Sequence, residues 1–177
     1  DKKPIHLEII YKFYLYDASV GKAEIEHWIG PNRRDSLIQK LTKLQEKQLP
    51  LLYSHHTKIY LDELKLNIDD IAQQVYFKAQ LFVPLKDLGK SFKELNNECI
   101  YGFYIYPKEL PQFSDCKFYI PNKHNWLVNP HSNIDWLAFE TFQNKLQQFL
   151  NGENAPLCWL KKPNGEFFKF FVVWWNN

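Results

Sequence analysis

The run Ser54-His55-His56 holds residue types that nucleophilic or metal chemistry requires. Imidazole is the commonest metal-binding side chain, and a reactive serine needs an adjacent base. Residues 57–61, which follow, are typical of a strand, and adjacent side chains on a strand point to opposite faces. Two such imidazoles cannot readily meet one ion, and no HExxH or Cys/His spacing supports them. The pattern therefore predicts a structural or surface role for the three residues.

The stretch from Asn122 to Trp136 interleaves aromatic rings with polar groups between proline breaks. Loops carry binding residues disproportionately, and indole rings beside imidazole and carboxyl groups can stack on and hydrogen-bond a sugar or a base. The same side chains can equally lock a long loop onto a sheet. The candidate binding residues of this loop are His124, Trp126, His131, Asp135 and Trp136.

Arg33 and Arg34 are the only two arginines in the chain, and they precede a predicted helix. Helix amides and guanidinium groups can together hold an anion or an acidic partner. Asp35 opposes this interpretation because its own carboxylate occupies the positive end of the helix. Surface salt bridges explain the pair about as well, so both arginines stay as binding candidates.

The aromatic residues of two stretches, 101–106 and 167–175, are expected mainly in the core. The outward half of the set, Tyr104, Tyr106, Trp174 and Trp175, is the part that can form an exposed patch for a partner. We therefore include Trp174 and Trp175 among the binding candidates.

A group of acidic residues between the first two predicted helices resembles a cation site only in composition. Asp62, Glu63, Asp69 and Asp70 lack the regular spacing and the glycine of a calcium loop. A solvated turn is the expected structure. No metal, no cofactor and no catalytic residue is predicted from any motif in the chain.

Composition limits the class of protein. The chain has 177 residues, of which 45% are hydrophobic and 24% charged, and this is typical of one globular domain, residues 1–177. The net charge is only +2 and the basic residues are not clustered, so no nucleic-acid partner is expected. No run of about 18 apolar residues exists, so no membrane span is expected. Three cysteines do not decide between cytoplasm and periplasm.

Periodicity predicts the elements that position these residues. Alternating apolar residues indicate strands, and apolar residues at helical spacing indicate helices. The predicted strands are residues 4–16, 22–29, 57–61, 75–83, 98–106 and 117–120. The predicted helices are residues 37–48, capped by Asp35 or Ser36, residues 85–95, and residues 134–150, capped by Asn133 and ended by Gly152.

A terminal hairpin is the clearest architectural signal. Residues 157–175 read as two strands joined by Asn164-Gly165, a pair typical of a type I′ turn with two positive φ values. The second strand is apolar on both faces, so it must lie inside a sheet. The fold class is therefore α+β: an antiparallel or mixed twisted sheet of about six to eight strands, with three helices packed against it and the C-terminal hairpin strand central.

These patterns favour a noncatalytic binding protein. The most concrete expectation is an inhibitor or immunity-type protein that neutralises a bacterial toxin by protein–protein contact, with Tyr, Trp and Arg as interface anchors. One alternative is a small hydrolase or nuclease whose His and carboxylate groups assemble only on folding. Another is a carbohydrate or small-ligand module built around Trp126 and Trp136.

Overall fold

The computed structural model describes residues 3–175, and these form one seven-stranded mixed sheet. The strand order is β2-β1-β3-β4-β7-β6-β5. Neighbours among β1, β3, β4 and β7 are parallel, whereas β2, β6 and β5 join antiparallel. The strands are β1 Ile5–Tyr16, β2 Trp28–Ile29, β3 Ala72–Pro84, β4 Ile100–Ile105, β5 Lys117–Tyr119, β6 Leu157–Lys161 and β7 Phe167–Val172. The α+β class with a mixed sheet is confirmed; residues 1–2 and 176–177 of the predicted domain lie outside the described residues.

The first helix, α1, begins at Leu37 as the sequence predicts. Ser36 is the cap, because its side chain accepts a hydrogen bond from the Gln39 amide. Regular α-helix ends at Lys43, and the chain continues as a π-helical turn through Gln48 and then a 3-10 segment, Leu49–Tyr53. The helical path therefore runs past Pro50, although the sequence predicts an end before it.

The strand predicted over residues 57–61 is wrong, because His55–Glu63 form the second helix, α2. Ser54 caps it by accepting from the Thr57 amide at 3.2 Å, and Leu61 is buried. A serine N-cap and one buried position outweigh the β-branched residues of the segment.

The helix predicted over residues 85–95 is also wrong. Only Leu85–Asp87 are helical, as a single 3-10 turn, and Gly89 has a φ of +93° that no right-handed helix contains. Phe92 is buried, and the Asn97 side chain bonds both its amide and its carbonyl. The loop leaves helical geometry so that this one ring can enter the core.

The third helix, α3, is shorter than predicted and spans Phe139–Asn151, with Gly152 at its end. Leu137 instead exchanges two backbone hydrogen bonds with Phe118 of β5, at 2.9 and 2.7 Å. The residues predicted to form the first turn of the helix are therefore not helical, because Leu137 pairs with the edge strand β5. The predicted strand 22–29 likewise shrinks to β2, because Glu24–His27 form a 3-10 turn.

The hairpin of β6 and β7 is confirmed, and β7 lies between β4 and β6 inside the sheet. Its turn differs from the type I′ prediction. Gly165 has a φ of +90°, whereas Asn164 is not among the described residues with positive φ. The Gly165 amide donates to the Lys162 carbonyl at 2.9 Å, and Pro163 holds the second position. This is a type I turn followed by glycine, which Pro163 favours because its ring presets φ near −65°.

The two faces of the sheet are covered by different parts of the chain. On one face, here called the helical face, Phe142 of α3 stacks on Phe118 with ring centroids 4.2 Å apart. On the opposite face, here called the cleft face, Trp126 packs edge-on against Phe13 and Phe171 at 5.3 and 5.4 Å. The Trp126 loop thus covers part of the cleft face of the sheet, and α3 covers part of the helical face.

The sheet is uneven in width. β4 pairs with β3 only from Leu81 onward, and β2 pairs with β1 only at Leu15 and Tyr16. Residues 5–12 and 72–79 therefore form a two-stranded parallel extension, which we call the ribbon.

None of the helices within residues 3–175 is long and apolar enough to cross a bilayer. The thiols of Cys99, Cys116 and Cys158, the three cysteines of the chain, are free, so no disulfide joins any two of them.

Candidate functional site

Two neighbouring cavities, of about 560 and 600 Å³, share Asn32, Lys123 and Trp126 in their walls. The larger lies on the cleft face, and the smaller reaches from the Trp126 loop to α3. We call them together the basic cleft. Its remaining wall residues come from β1, the loop before α1, the Trp126 loop, α3 and the chain leading into β6. They include Tyr11, Lys12, Phe13, Pro31, Arg34, Asp35, His124 and Leu127 in the larger cavity and Lys145, Gln148, Phe149 and Ala155 in the smaller one.

A buried lysine anchors the wall of the basic cleft. Lys169 of β7 is 5% exposed, and its ammonium donates to the Gln80 side-chain oxygen at 2.6 Å and to the Trp126 carbonyl at 2.7 Å. The Gln80 amide in turn donates to the Tyr11 hydroxyl at 2.8 Å. This chain of hydrogen bonds ties the Trp126 loop to three strands of the sheet.

The charge of Lys169 has no carboxylate neighbour. Within residues 3–175 no carboxylate oxygen lies within 4 Å of its ammonium, which instead faces the rings of Phe13 and Trp159 at 5.6 and 5.4 Å. Burial lowers the pKa of Lys169 to about 8, because desolvation disfavours the charged form. At neutral pH the lysine is still mostly protonated and places a positive charge beneath the cleft.

The lining of the basic cleft is cationic. Lys12, Arg34, Lys123 and Lys145 stand against one carboxylate, Asp35, a net of three positive charges. The Lys12 ammonium bonds the Asp35 carboxylate at 2.6 Å, so the other three cations have no acidic partner in the lining. A chain whose net charge is only +2 therefore concentrates positive charge here.

Three of the predicted site residues meet in the basic cleft. Arg34, His124 and Trp126 line its larger cavity. His131 and Asp135 line a separate cavity of about 330 Å³ on the other side of Lys145. The polar loop residues thus divide between two hollows.

Trp136 packs away from the basic cleft. Its ring stacks on Phe167 with centroids 5.4 Å apart and an interplanar angle of 21°. The Lys161 ammonium lies 5.6 Å from the same ring. Trp126 and Trp136 therefore do not form one sugar platform.

The contacts of Arg33 hold the fold together and do not face the basic cleft. Its guanidinium bonds the Asp17 carboxylate at 2.6 Å and lies 4.7 Å from the centroid of the Trp175 ring. The Trp175 indole donates to the Pro31 carbonyl at 3.0 Å. Burial of Asp17 opposes its ionisation, but hydrogen bonds from Ser19 and Arg33 outweigh this and lower its pKa. These contacts close the loop before α1 onto the end of β7.

The predicted exposed aromatic patch does not form. Tyr104 and Trp175 are buried, at 3% and 5% exposure, and Trp174 and Tyr106 are half-buried. The Tyr104 hydroxyl donates to the Tyr16 carbonyl at 2.8 Å. The reason is that β7 is central, so the residues that follow it continue into the interior.

The Ser54-His55-His56 run adopts a capped helix start, as described above. The two imidazole centroids are 5.9 Å apart, and the Ser54 hydroxyl contacts Thr57 at 3.0 Å. Among residues 3–175, no group of three His, Cys, Asp or Glu side chains is arranged to hold a metal ion.

A His–carboxylate pair that sequence reasoning missed lies on the ribbon. His6 Nε2 is 3.3 Å from a Glu8 carboxylate oxygen, and the Gln73 amide contacts His6 Nδ1 at 2.9 Å. Gln48 donates to the other Glu8 oxygen at 3.2 Å. The spacing of two on a strand puts both residues on one face, which is the signal that was available. They lie outside the basic cleft.

The cleft face of the ribbon is apolar and uncovered. Ile5, Leu7 and Ile9 of β1 are 51%, 48% and 69% exposed, and Tyr76 of β3, opposite Ile9, is 55% exposed. Alternation predicts that the three β1 residues share a face with Tyr11 and Phe13. It does not reveal that the outer part of this face is bare.

A model of a protein family described as "Domain of unknown function (DUF1853)" matches residues 1–173. No curated protein and no solved structure matches the chain. Since the family model covers nearly the whole chain, this protein belongs to the DUF1853 family.

Proposed function

We propose that this chain is a noncatalytic binding protein whose partner is another protein, docked on the cleft face of the ribbon. The observation that carries the proposal is the row Ile5, Leu7 and Ile9, with Tyr76 beside it, on a sheet face that nothing in the described chain covers. Contiguous apolar surface of this kind marks interaction sites.

The strand arrangement supports this interpretation. Parallel strands are normally covered on both faces, because their connections lay other elements over them. Here the helical face of the ribbon carries the half-buried His6 and Glu8 and contacts Gln48 after α1, whereas the cleft face is open. A partner that covers Ile5, Leu7, Ile9 or Tyr76 gains about 1 kcal/mol from each, because these side chains are roughly half exposed in the free chain.

The backbone of the ribbon offers a second means of binding. Within residues 3–175, β1 before Leu15 and β3 before Leu81 each pair on one side only. An unpaired strand edge can accept an extended segment of another chain by main-chain hydrogen bonds. Apolar contacts on the face and hydrogen bonds at an edge suit a protein partner better than a small molecule.

An inhibitor or immunity-type role is the more specific form of the proposal. A protein that neutralises a toxin by occlusion needs a firm scaffold and one adhesive surface, but no reaction centre. The exposed Tyr76 ring and the Ile9 side chain are suitable anchors for such a surface.

The experiment compares Ile9→Glu with Leu88→Glu, a matched change at an exposed leucine away from the ribbon. The wild-type chain and the Leu88 variant should retain a protein from extracts of the native cell, and Ile9→Glu should lose it. Co-expression with the neighbouring open reading frames tests the inhibitor role: the wild-type chain and Leu88→Glu should protect cells from a toxic neighbour, and Ile9→Glu should not. Equal retention of the partner by both variants would contradict the docking site. If the wild-type chain self-associates and Ile9→Glu makes it monomeric, the ribbon binds a second copy of this chain, and the inhibitor role is contradicted.

A further inference from the structure

We propose that the basic cleft is a separate binding site for a small organic anion, in which a flat apolar ring carries a phosphate or a carboxylate. The site does not depend on the ribbon or on a protein partner. It rests on the charge, shape and rigidity of the cleft.

Charge is the first reason. Arg34, Lys123 and Lys145 line the cleft without an acidic partner in its wall, and Lys123 lines both cavities. Each cavity thus has two such cations, Arg34 and Lys123 in the larger and Lys123 and Lys145 in the smaller, and these favour an anion. A phosphate or carboxylate is the oxyanion that guanidinium and ammonium groups bind best. The buried Lys169 adds positive potential from below, because no described carboxylate neutralises it.

Shape is the second reason. Each cavity, at about 560 or 600 Å³, is within the range of sites for small metabolites. The half-buried Trp126 lines both cavities, and Phe13, Pro31 and Leu127 supply apolar surface to the larger one. Apolar walls with a few charged groups are typical of a site for a ring that bears one anionic substituent.

Rigidity is the third reason. The Trp126 carbonyl is held by Lys169 at 2.7 Å, and the Trp126 ring packs edge-on against two phenylalanines of the sheet. The Asn32 side chain, at the junction of the cavities, accepts from the Ala155 amide at 2.8 Å and donates to Asn154 at 3.3 Å. A wall that is already ordered loses little conformational freedom when a ligand enters.

The test is isothermal titration calorimetry of the full chain with phenyl phosphate, benzoate, inorganic phosphate, phenol and phenyl glucoside. We expect phenyl phosphate or benzoate to bind about tenfold more tightly than phenol, which lacks the charge, and than inorganic phosphate, which lacks the ring. The stronger of the two anions identifies the acid group. Preference for phenyl glucoside would instead indicate a carbohydrate module and overturn the proposal.

Variants locate the binding. Lys123→Gln should lower the affinity for the preferred anion by about fivefold or more, whereas Lys93→Gln, at an exposed lysine outside the cleft, should leave this affinity unchanged. Trp126→Leu should weaken the aromatic anion and leave inorganic phosphate unchanged, provided that near-ultraviolet circular dichroism shows a folded chain.

Two results would overturn the proposal of an anion site. One is an equal loss of anion affinity in the Lys123→Gln and Lys93→Gln variants. The other is the absence of any binding heat when the wild-type chain is titrated with each anion up to about 10 mM. The Ile9→Glu variant should bind the anion normally, so failure of the ribbon proposal and failure of this one are distinguishable.

Discussion

The ribbon strand β1 alternates apolar and polar residues, whereas β7 is apolar on both faces, and the large apolar side chains of the two strands have opposite burial. In β7, Phe170, Phe171 and Val172 are fully buried on successive faces, whereas Leu7 and Ile9 of β1 are about half exposed or more. The difference lies in what covers each face. An alternating pattern thus indicates that a strand has an apolar face, but the rest of the chain determines whether that face is core or interface.

The largest expected contrast between the two regions is in core packing. Phe142→Ala removes a ring stacked on Phe118 in the covered half and should lower the free energy of unfolding by about 3 to 5 kcal/mol. Ile9→Ala, on the open ribbon, should change it by about 0.5 kcal/mol or less. Urea unfolding at pH 7 measures both. Similar losses in the two variants would mean that the ribbon face is covered in the free protein.

The next effect concerns the clamp between Arg33 and Asp17. Asp17→Asn should lower the free energy of unfolding by about 2 kcal/mol. This is less than the loss expected for breaking a fully buried ion pair, because the Arg33 side chain is about one-third exposed. Glu166→Gln, in the exposed pair with Lys162, should leave the free energy of unfolding almost unchanged, because solvent screens this pair. Because the pKa of Asp17 is lowered, its contribution is present at neutral pH and is lost as the pH falls through the acid range. A flat acid-stability difference between wild type and Asp17→Asn would refute this assignment.

A smaller effect tests the anchor beneath the basic cleft. The pKa of Lys169 is lower in the folded chain, about 8, than in the unfolded chain, so the unfolded state binds more protons above pH 8 and stability rises with pH there. Between pH 7.5 and 9.5 the gain should be on the order of 1 kcal/mol relative to Lys169→Met, which lacks this titration. The exposed Lys93→Met serves as control and should keep the gain. Parallel pH profiles for wild type and Lys169→Met would contradict a desolvated ammonium.

The smallest change in stability is expected on the ribbon surface, where a dye sharpens the comparison. Leu7→Ser should leave the urea midpoint almost unchanged but lower the fluorescence of bound Nile red, an uncharged dye, because it removes exposed apolar surface. Leu88→Ser, at a similarly exposed leucine elsewhere, should lower the signal less. Equal reductions would show that the dye does not report on the ribbon.

Part of the site was predictable from residue types alone. Arg34, His124 and Trp126 were candidates from sequence, and they meet in the basic cleft. Lys145 and Lys169 were not, because an exposed helical lysine and a lysine in an apolar strand carry no local signal of a shared site. Their proximity to the cleft arises from α3 and β7, which lie far from Arg34 in the chain.

The sequence by itself determined the elements whose signals are local. Apolar alternation specified β1 and β3, Ser36 started α1, and a strand apolar on both faces required β7 to be internal. Only the tertiary structure decided that Leu61 of α2 is buried, that Phe92 pulls its loop out of helical geometry, and that the ribbon face stays bare. The physical reason is that covering a surface is a nonlocal property: its free energy depends on which distant segment packs there, and no short window of sequence contains that partner.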